Sequence, residues 1–136
     1  MLLAPPTHRG CTIWLTGLPG EGKSALARAV GDRLRALGRR VEVIDGAAVP
    51  REGHGRRGRR ARGAHLSWVS RALARNGVFV VAAADAPPRR GPSPVVEVHV
   101  DPSLRRCAER DRRGLYRRAF ADAVVDALRG HGHLPT

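Results

Sequence analysis

Short apolar runs alternate with longer stretches of helical periodicity along this chain. Runs rich in Val, Ile, Leu and Ala predict strands at residues 11–16, 41–44, 78–84 and 95–100. Apolar residues three and four apart predict helices at residues 24–37, 66–76, 103–110 and 120–128. Strands that alternate with helices pair in parallel through right-handed crossovers. The pattern therefore predicts a three-layer α/β fold, in which a mostly parallel sheet of about four to five strands carries helices on both faces.

The remaining segments predict connections between these elements. Residues 47–63 carry Arg, Gly and His with almost no apolar side chains, which predicts a mobile surface loop. Four prolines between residues 87 and 94 predict an irregular connector. The length of 136 residues fits a single domain, residues 1–136, and with 4% aromatic residues its interior must be filled mainly by aliphatic side chains.

The stretch G-L-P-G-E-G-K-S, residues 17–24, matches the phosphate-binding P-loop pattern in full and lies between a predicted strand and a predicted helix. Its glycines allow backbone N–H groups to turn toward a phosphate, and the following helix adds its positive end. Lys23 is predicted to reach the β- and γ-phosphates of ATP, and Ser24 to bind Mg²⁺. The predicted nucleotide-binding residues of this segment are Gly17, Leu18, Pro19, Gly20, Glu21, Gly22, Lys23, Ser24 and Ala25.

The formal net charge of +13 has two interpretations. One is long-range attraction to nucleic acid. The other is compositional bias, because 24 of the 25 basic residues are Arg. Since the segment from Arg51 to Gly63 contains no aromatic residue that could stack on a base, a nucleic-acid partner is not expected. Lys23 is the one lysine, at the motif position where a compact ammonium fits a phosphate site.

The cysteines and the apolar runs indicate the cellular setting. Cys11 and Cys107 are too few for a disulfide framework, and no run approaches 18 apolar residues. The first residues lack a basic leader followed by a long apolar stretch. A cytoplasmic protein that does not associate with membranes is expected.

Two carboxylates follow predicted strands, at the edge where parallel sheets bind ligands. Asp45 could accept a proton from an attacking hydroxyl or hold a metal-bound water, or it could cap a turn with Gly46. Asp85 could support Mg²⁺, or it could simply suit the turn-rich connector beside it. The predicted catalytic residues are therefore Lys23, Asp45 and Asp85, and the predicted Mg²⁺ ligands are Ser24 and Asp45.

Residues 111–118 form a basic segment around Gly114 and Tyr116. Such a segment can close over transferring phosphates as a lid-like flap, and a solvated helix end would have the same composition.

Three segments together resemble the adenylylsulfate kinase family, which phosphorylates the ribose 3′-hydroxyl of adenosine 5′-phosphosulfate (APS) with ATP. They are residues 12–46, 76–89 and 96–119, the last containing R-D-R-R-G-L-Y-R-R-A. The resemblance implies ATP and Mg²⁺ as cofactors, Arg110 near the adenine, and Arg113 and Tyr116 in a flap that closes on the substrates. It also makes a homodimer an expectation.

The chain departs from the family pattern in the half that binds the acceptor. The family's D-G-D-x-x-R corresponds to Asp45, Gly46, Ala47, Ala48, Val49 and Pro50, so one acid and one Arg are missing. The family's N-I-R-R helix start is replaced by Arg62, Gly63, Ala64 and His65. The chain also ends before the family's last strand, which favours a sheet of four strands.

The expected function is transfer of the γ-phosphate of Mg-ATP to a hydroxyl of a small nucleotide-like acceptor, which the resemblance identifies as APS. Two alternatives stay open. The acceptor could be a different small-metabolite or nucleoside hydroxyl, or the protein could bind nucleotide without transferring phosphate.

Overall fold

The computed structural model describes residues 9–17, 21–46, 55–89, 91 and 93–135. The strands are β1 (Thr12–Thr16), β2 (Val41–Asp45), β3 (Phe79–Ala84) and β4 (Val95–His99). The helices are α1 (Glu21–Ala36), α2 (Gly55–Arg75), α3 (Pro102–Glu109) and α4 (Leu115–Gly130). Within the described residues, the strands form one parallel sheet in the order β2-β3-β1-β4. The predicted α/β class and parallel pairing are confirmed.

The sheet lies between two helical layers. On one face, Ile13, Leu15 and Val81 pack in the larger core cluster with the apolar residues of α1 and α4. On the other face, Trp14 and Ala82 pack with Leu66 of α2. Because β1 and β3 are covered on both faces, they consist of continuous apolar runs, as parallel strands usually do. The predicted three layers are therefore confirmed.

The loop predicted at residues 47–63 is wrong for its second half, because α2 begins at Gly55. Arg is a good helix former, and a helix needs apolar contacts on one side only. Gly63 allows the helix to approach the connector after β3 closely, since an added Cβ would lie 3.3 Å from both the Ala86 Cβ and the Pro87 carbonyl oxygen. Residues 47–54 lie outside the described part of the chain.

The last helix begins at Leu115, five residues before the predicted start at Phe120. Gly114, at a φ of 71°, precedes it and has no side chain with which to cap it. The Asp111 carboxylate takes that role by accepting a hydrogen bond from the Arg117 backbone N–H at 2.8 Å. The predicted flap at residues 111–118 is therefore a capped turn followed by the first turn of α4.

None of the helices in the described residues is both long enough and apolar enough to cross a membrane.

Candidate active site

The carboxyl ends of the parallel strands meet at one edge of the sheet. Thr16 of β1 lies beside Ala84 of β3 and His99 of β4, and Asp45 of β2 lies beside Ala83. The chain order reverses at β1, because β3 pairs on one side of it and β4 on the other. Ligands of open α/β sheets bind at such a switch point. The P-loop follows β1 directly and therefore lies there.

The start of the P-loop requires glycine for two reasons. Gly17 has a φ of +148°, which side chains rarely adopt, and a Cβ at this position would lie 2.3 Å from the Val100 carbonyl oxygen. Residues 18–20, which include the predicted Leu18, Pro19 and Gly20, lie outside the described residues. Helix α1 begins at Glu21, so its first turns contain Gly22, Lys23, Ser24 and Ala25.

Lys23 lies where the motif predicts, with only 5% of its surface exposed. Its Nζ donates hydrogen bonds to the carbonyl oxygens of Ala84 at 2.7 Å and of Gly17 at 3.1 Å. Ala84 is the last residue of β3, and Gly17 directly follows the last residue of β1. The ammonium group is therefore fixed at the carboxyl edge of the two central strands, where a phosphate on the P-loop would meet it.

Ser24 and Asp45 form the second polar pair of the site. The Ser24 hydroxyl donates a hydrogen bond of 2.7 Å to Asp45 Oδ2, which joins the first turns of α1 to the end of β2. The two residues also line a cavity of about 330 Å³ between α1 and β2. The pairing brings both predicted Mg²⁺ ligands together.

The described residues contain no group of three or more His, Cys, Asp or Glu side chains that could hold a metal ion unaided. Mg²⁺ in kinase sites is commonly held by one or two protein oxygens together with substrate phosphates. The hydroxyl of Ser24 and the carboxylate of Asp45 supply hard oxygen ligands of that kind, so this donor set fits Mg²⁺.

Asp85 has a different environment from Asp45. Its carboxylate forms an ion pair of 3.2 Å with Arg62 of α2, and the two side chains are 32% and 14% exposed. The connector that follows is held by two further contacts. The Trp14 indole N–H donates to the Ala86 carbonyl at 2.9 Å, and Ser67 Oγ accepts the Arg89 backbone N–H at 2.9 Å. Sequence reasoning missed Arg62 as the partner of Asp85, because nothing local to either residue indicates the other.

The Asp111 turn organises the predicted flap. Besides the backbone N–H of Arg117, its carboxylate accepts the Arg117 Nε at 3.3 Å, and the Asp111 carbonyl accepts Arg117 Nη2 at 3.0 Å. Burial acts to raise the pKa of Asp111, but hydrogen bonds from the backbone N–H groups of Arg117 and Tyr116 and from the Arg117 guanidinium outweigh it, and the pKa is lowered. Sequence reasoning missed this aspartate, although its position three residues before a glycine and a helix is a capping signal.

The three flap residues predicted to contact nucleotide lie around this turn. Arg110 is the exposed residue that ends α3, Arg113 is exposed, and Tyr116 is half-buried in the first turn of α4. Burial raises the pKa of the Tyr116 phenol, and the nearby Cys107 and Asp101 raise it further through unfavourable charge interactions.

A cavity of about 590 Å³ between α1 and α4 connects the P-loop helix with the Asp111 turn. Its lining includes Ala25 and Arg28 from α1, and Gly114, Arg117 and Arg118 from the other wall. Arg110, Arg113 and Tyr116 are not part of this lining. Of the predicted nucleotide-binding residues, the cavity therefore includes Ala25 alone. It also includes Arg117 and Arg118, which belong to the flap predicted at residues 111–118.

A P-loop between the first strand and first helix of a parallel sheet, at its switch point and with its lysine fixed at the strand ends, defines a P-loop nucleotide-binding protein. A family model described as adenylylsulphate kinase matches residues 9–131. The chain belongs to the adenylylsulfate kinase family, which confirms the resemblance.

Individual relatives support the same assignment. The chain is 36% identical over 129 residues to an adenylyl-sulfate kinase of Picosynechococcus sp., a match that covers 86% of this chain and 73% of that protein. Among solved structures, it resembles the Mycobacterium tuberculosis APS kinase CysC in complex with AMPPNP and APS, with a TM-score of 0.64, 31% identity, and coverage of 85% of this chain and 76% of that one. It also resembles a hexameric APS kinase from Thiobacillus denitrificans, with a TM-score of 0.72, 26% identity, and coverage of 93% and 30%.

Proposed function

We propose that this chain is an ATP-dependent kinase that transfers the γ-phosphate of ATP to the ribose 3′-hydroxyl of APS. The observation that carries the proposal is the position of Lys23, whose Nζ lies 2.7 Å from the Ala84 carbonyl at the carboxyl edge of the sheet. Beside it, Ser24 and Asp45 form a pair of oxygen ligands. These are the donor-side parts that phosphoryl transfer requires, and the family supplies the acceptor.

In this proposal, Lys23 stabilises the negative charge of the transferred phosphoryl group. The acceptor oxygen forms a bond to the γ-phosphorus, and the bond from that phosphorus to the ADP oxygen breaks. Because Lys23 is buried and already fixed, its charge acts with little rearrangement and little screening by water. The contribution of the lysine is therefore electrostatic, made by a group oriented before the substrates arrive.

We assign the hydroxyl proton to Asp45. The other predicted carboxylate, Asp85, instead forms an ion pair of 3.2 Å with the Arg62 guanidinium. Ser24 and Asp45 would also hold Mg²⁺, directly or through water. When bound, that ion neutralises charge on the β- and γ-phosphates.

The test is ATP turnover by the purified protein with Mg²⁺, with and without APS, followed by mass measurement of the acceptor. The expected result is ADP formation that depends on APS, together with APS that has gained one phosphoryl group. Nucleotide binding without phosphorylated APS would refute the assignment of this acceptor. A panel of nucleosides and small hydroxyl compounds would then distinguish another acceptor from a protein that only binds nucleotide.

We also propose that the protein forms a homodimer. Strand β4 ends the described sheet, and the ends of a sheet offer unpaired backbone groups to a second chain. Sedimentation velocity would measure the mass directly, and a single monomeric species at micromolar concentration would refute the dimer.

A further inference from the structure

Helix α2 carries a line of basic side chains along its solvent-exposed surface. Its buried residues, which include Leu66, Ser70 and Ala74, face the body of the protein. On the outward side, five residues follow one another at helical spacing, and we call them the arginine stripe: Arg57, Arg60, Trp68, Arg71 and Arg75. Arg71 is partly exposed, with its side chain beside Gly91 of the connector after β3, and the other four are exposed. At 1.5 Å per residue, the stripe is about 27 Å long.

The centre of the stripe is an unusually exposed aromatic residue. Trp68 is 65% exposed, whereas the other tryptophan, Trp14, is 0% exposed. Two of the positions one turn away from Trp68 along α2 are Ala64 and Ala72, whose side chains are small. The helix contains no Asp or Glu, so no acid on α2 itself neutralises the arginines. An exposed indole between guanidinium groups can stack on a planar group while the arginines bind anions.

The charge and shape of the stripe restrict its partner. A second copy of the same face would be repelled, because both surfaces would be strongly positive. A membrane surface would require a broad apolar face to insert, and the stripe offers one aromatic residue among arginines and alanines. A single nucleic-acid strand combines regularly spaced negative charges with unpaired bases that stack on aromatic rings.

We propose that the arginine stripe of α2 binds single-stranded nucleic acid, with the arginines on the phosphates and Trp68 stacked on a base. This binding is separate from the proposed kinase reaction, because it uses the outer face of α2 and none of the P-loop. The sequence argued against nucleic acid because residues 51–63 lack an aromatic side chain. Residues 55–63 instead belong to α2, and this helix aligns Trp68 with Arg57 and Arg60.

The experiment titrates the full chain with an oligouridylate of about 12 nucleotides. Binding is followed by anisotropy of a label on the oligonucleotide and by tryptophan fluorescence. Because Trp14 is buried, a change in emission on binding reports on Trp68. If four arginines contact phosphates, the logarithm of the binding constant should fall with the logarithm of salt concentration with a slope of about −3, since each contact to a single strand contributes about −0.7.

Two pairs of substitutions separate the stripe from general positive charge. Arg57→Gln with Arg75→Gln should reduce the slope to about −1.5. The control, Arg106→Gln with Arg129→Gln, removes the same charge from α3 and α4 on the opposite face of the sheet, and should leave the slope near its original value. Trp68→Ala should weaken binding about 5- to 150-fold without changing the slope, and Trp68→Phe should restore most of the affinity.

Several results would overturn the proposal. One is no detectable binding at low salt, and another is an equal loss of slope in the stripe variant and the control variant. Unchanged Trp68 emission, or equal binding of dextran sulfate, would show that bases are not recognised. Stronger binding to anionic phospholipid vesicles, with a blue shift of Trp68 emission, would assign the stripe to a membrane surface instead.

Discussion

Replacing Lys23 by methionine is the sharpest test of the proposed phosphate site. Methionine retains an unbranched side chain of similar length and removes the ammonium group. The change deletes two hydrogen bonds, to the Ala84 carbonyl at 2.7 Å and to the Gly17 carbonyl at 3.1 Å. It leaves the apolar contacts of the buried stem largely in place.

The expected effect on stability is small. Each carbonyl loses a donor, a loss of about 1 kcal/mol per bond. In the opposite direction, the variant no longer buries an ammonium group, and that desolvation is itself unfavourable. Because the two effects oppose each other, we expect the free energy of unfolding to change by less than about 2 kcal/mol.

The expected effect on transfer is larger. Removing one fixed donor from a site of developing negative charge typically lowers kcat by about 10²- to 10³-fold, or about 3 to 4 kcal/mol of activation free energy. The loss in turnover should therefore clearly exceed the loss in stability. Lys23→Arg should also lose activity, because the planar guanidinium needs a wider space than the gap between the two carbonyls, which hold a single Nζ.

The assays are urea denaturation, calorimetric ATP binding and APS-dependent ATP turnover. Because Lys23 is the one lysine in the chain, lysine labelled with ¹⁵N supplies a single side-chain signal that should shift when ATP binds. Wild-type ATP affinity and turnover in Lys23→Met, with the fold intact, would refute the electrostatic role. Full activity in Lys23→Arg would refute the requirement for a compact ammonium.

Three further predictions address the rest of the site. Gly17→Ala should abolish ATP binding and lower the free energy of unfolding by about 1 to 3 kcal/mol, because the new Cβ would lie 2.3 Å from the Val100 carbonyl oxygen. Calorimetry measures the binding and urea denaturation the stability. Unchanged binding would contradict this prediction. Asp45→Asn should lower turnover about 10²-fold or more, whereas Asp85→Asn should cost less than about 1 kcal/mol of stability and should lower turnover less than Asp45→Asn does. An equal or larger loss of turnover in Asp85→Asn by steady-state kinetics would refute the assignment. Asp111 has a lowered pKa in the folded protein, so its contribution to stability is present above the unfolded value of about 3.9 and is lost as pH falls through the folded value. Denaturation from pH 7 to pH 2 should therefore show Asp111→Asn less stable than wild type at neutral pH and similar to it at low pH, and a constant difference would contradict the prediction.

Much of the fold could be predicted because its determinants are local. The strands β1 and β3 are buried on both faces, so each is a continuous apolar run that ends at a glycine or a turn. Helix α1 shows apolar residues at helical spacing because one side of it packs on the sheet. The strand order β2-β3-β1-β4 depends on contacts between distant segments, and alternation of strands and helices does not specify it.

The errors at residues 55–63 and at Leu115 have a shared physical origin. Both helix starts contain arginines and glycine, and both are stabilised by groups outside the helix. Gly63 packs against the connector after β3, and Asp111 caps the first turn of α4 from the preceding turn. Propensity and periodicity read from one segment do not include such partners, so both starts were predicted too late in the chain.

The donor and acceptor sides of the site differ in how far apart their residues lie in the sequence. The functional residues of the P-loop lie in one contiguous stretch, so the positions of Lys23 and Ser24 could be predicted from the sequence. The position of Asp45 could be predicted because it lies at the end of a strand, at the same edge of the sheet. The opposite side is made by α2 and the connector after β3, which meet through residues more than 20 positions apart, such as Arg62 with Asp85 and Ser67 with Arg89. A single substitution on either segment can alter such a surface without changing any local pattern. Since α2 departs from the family pattern at residues 62–65, differences in acceptor recognition between this chain and its relatives should be sought where α2 meets this connector, beginning with Arg62 and Asp85.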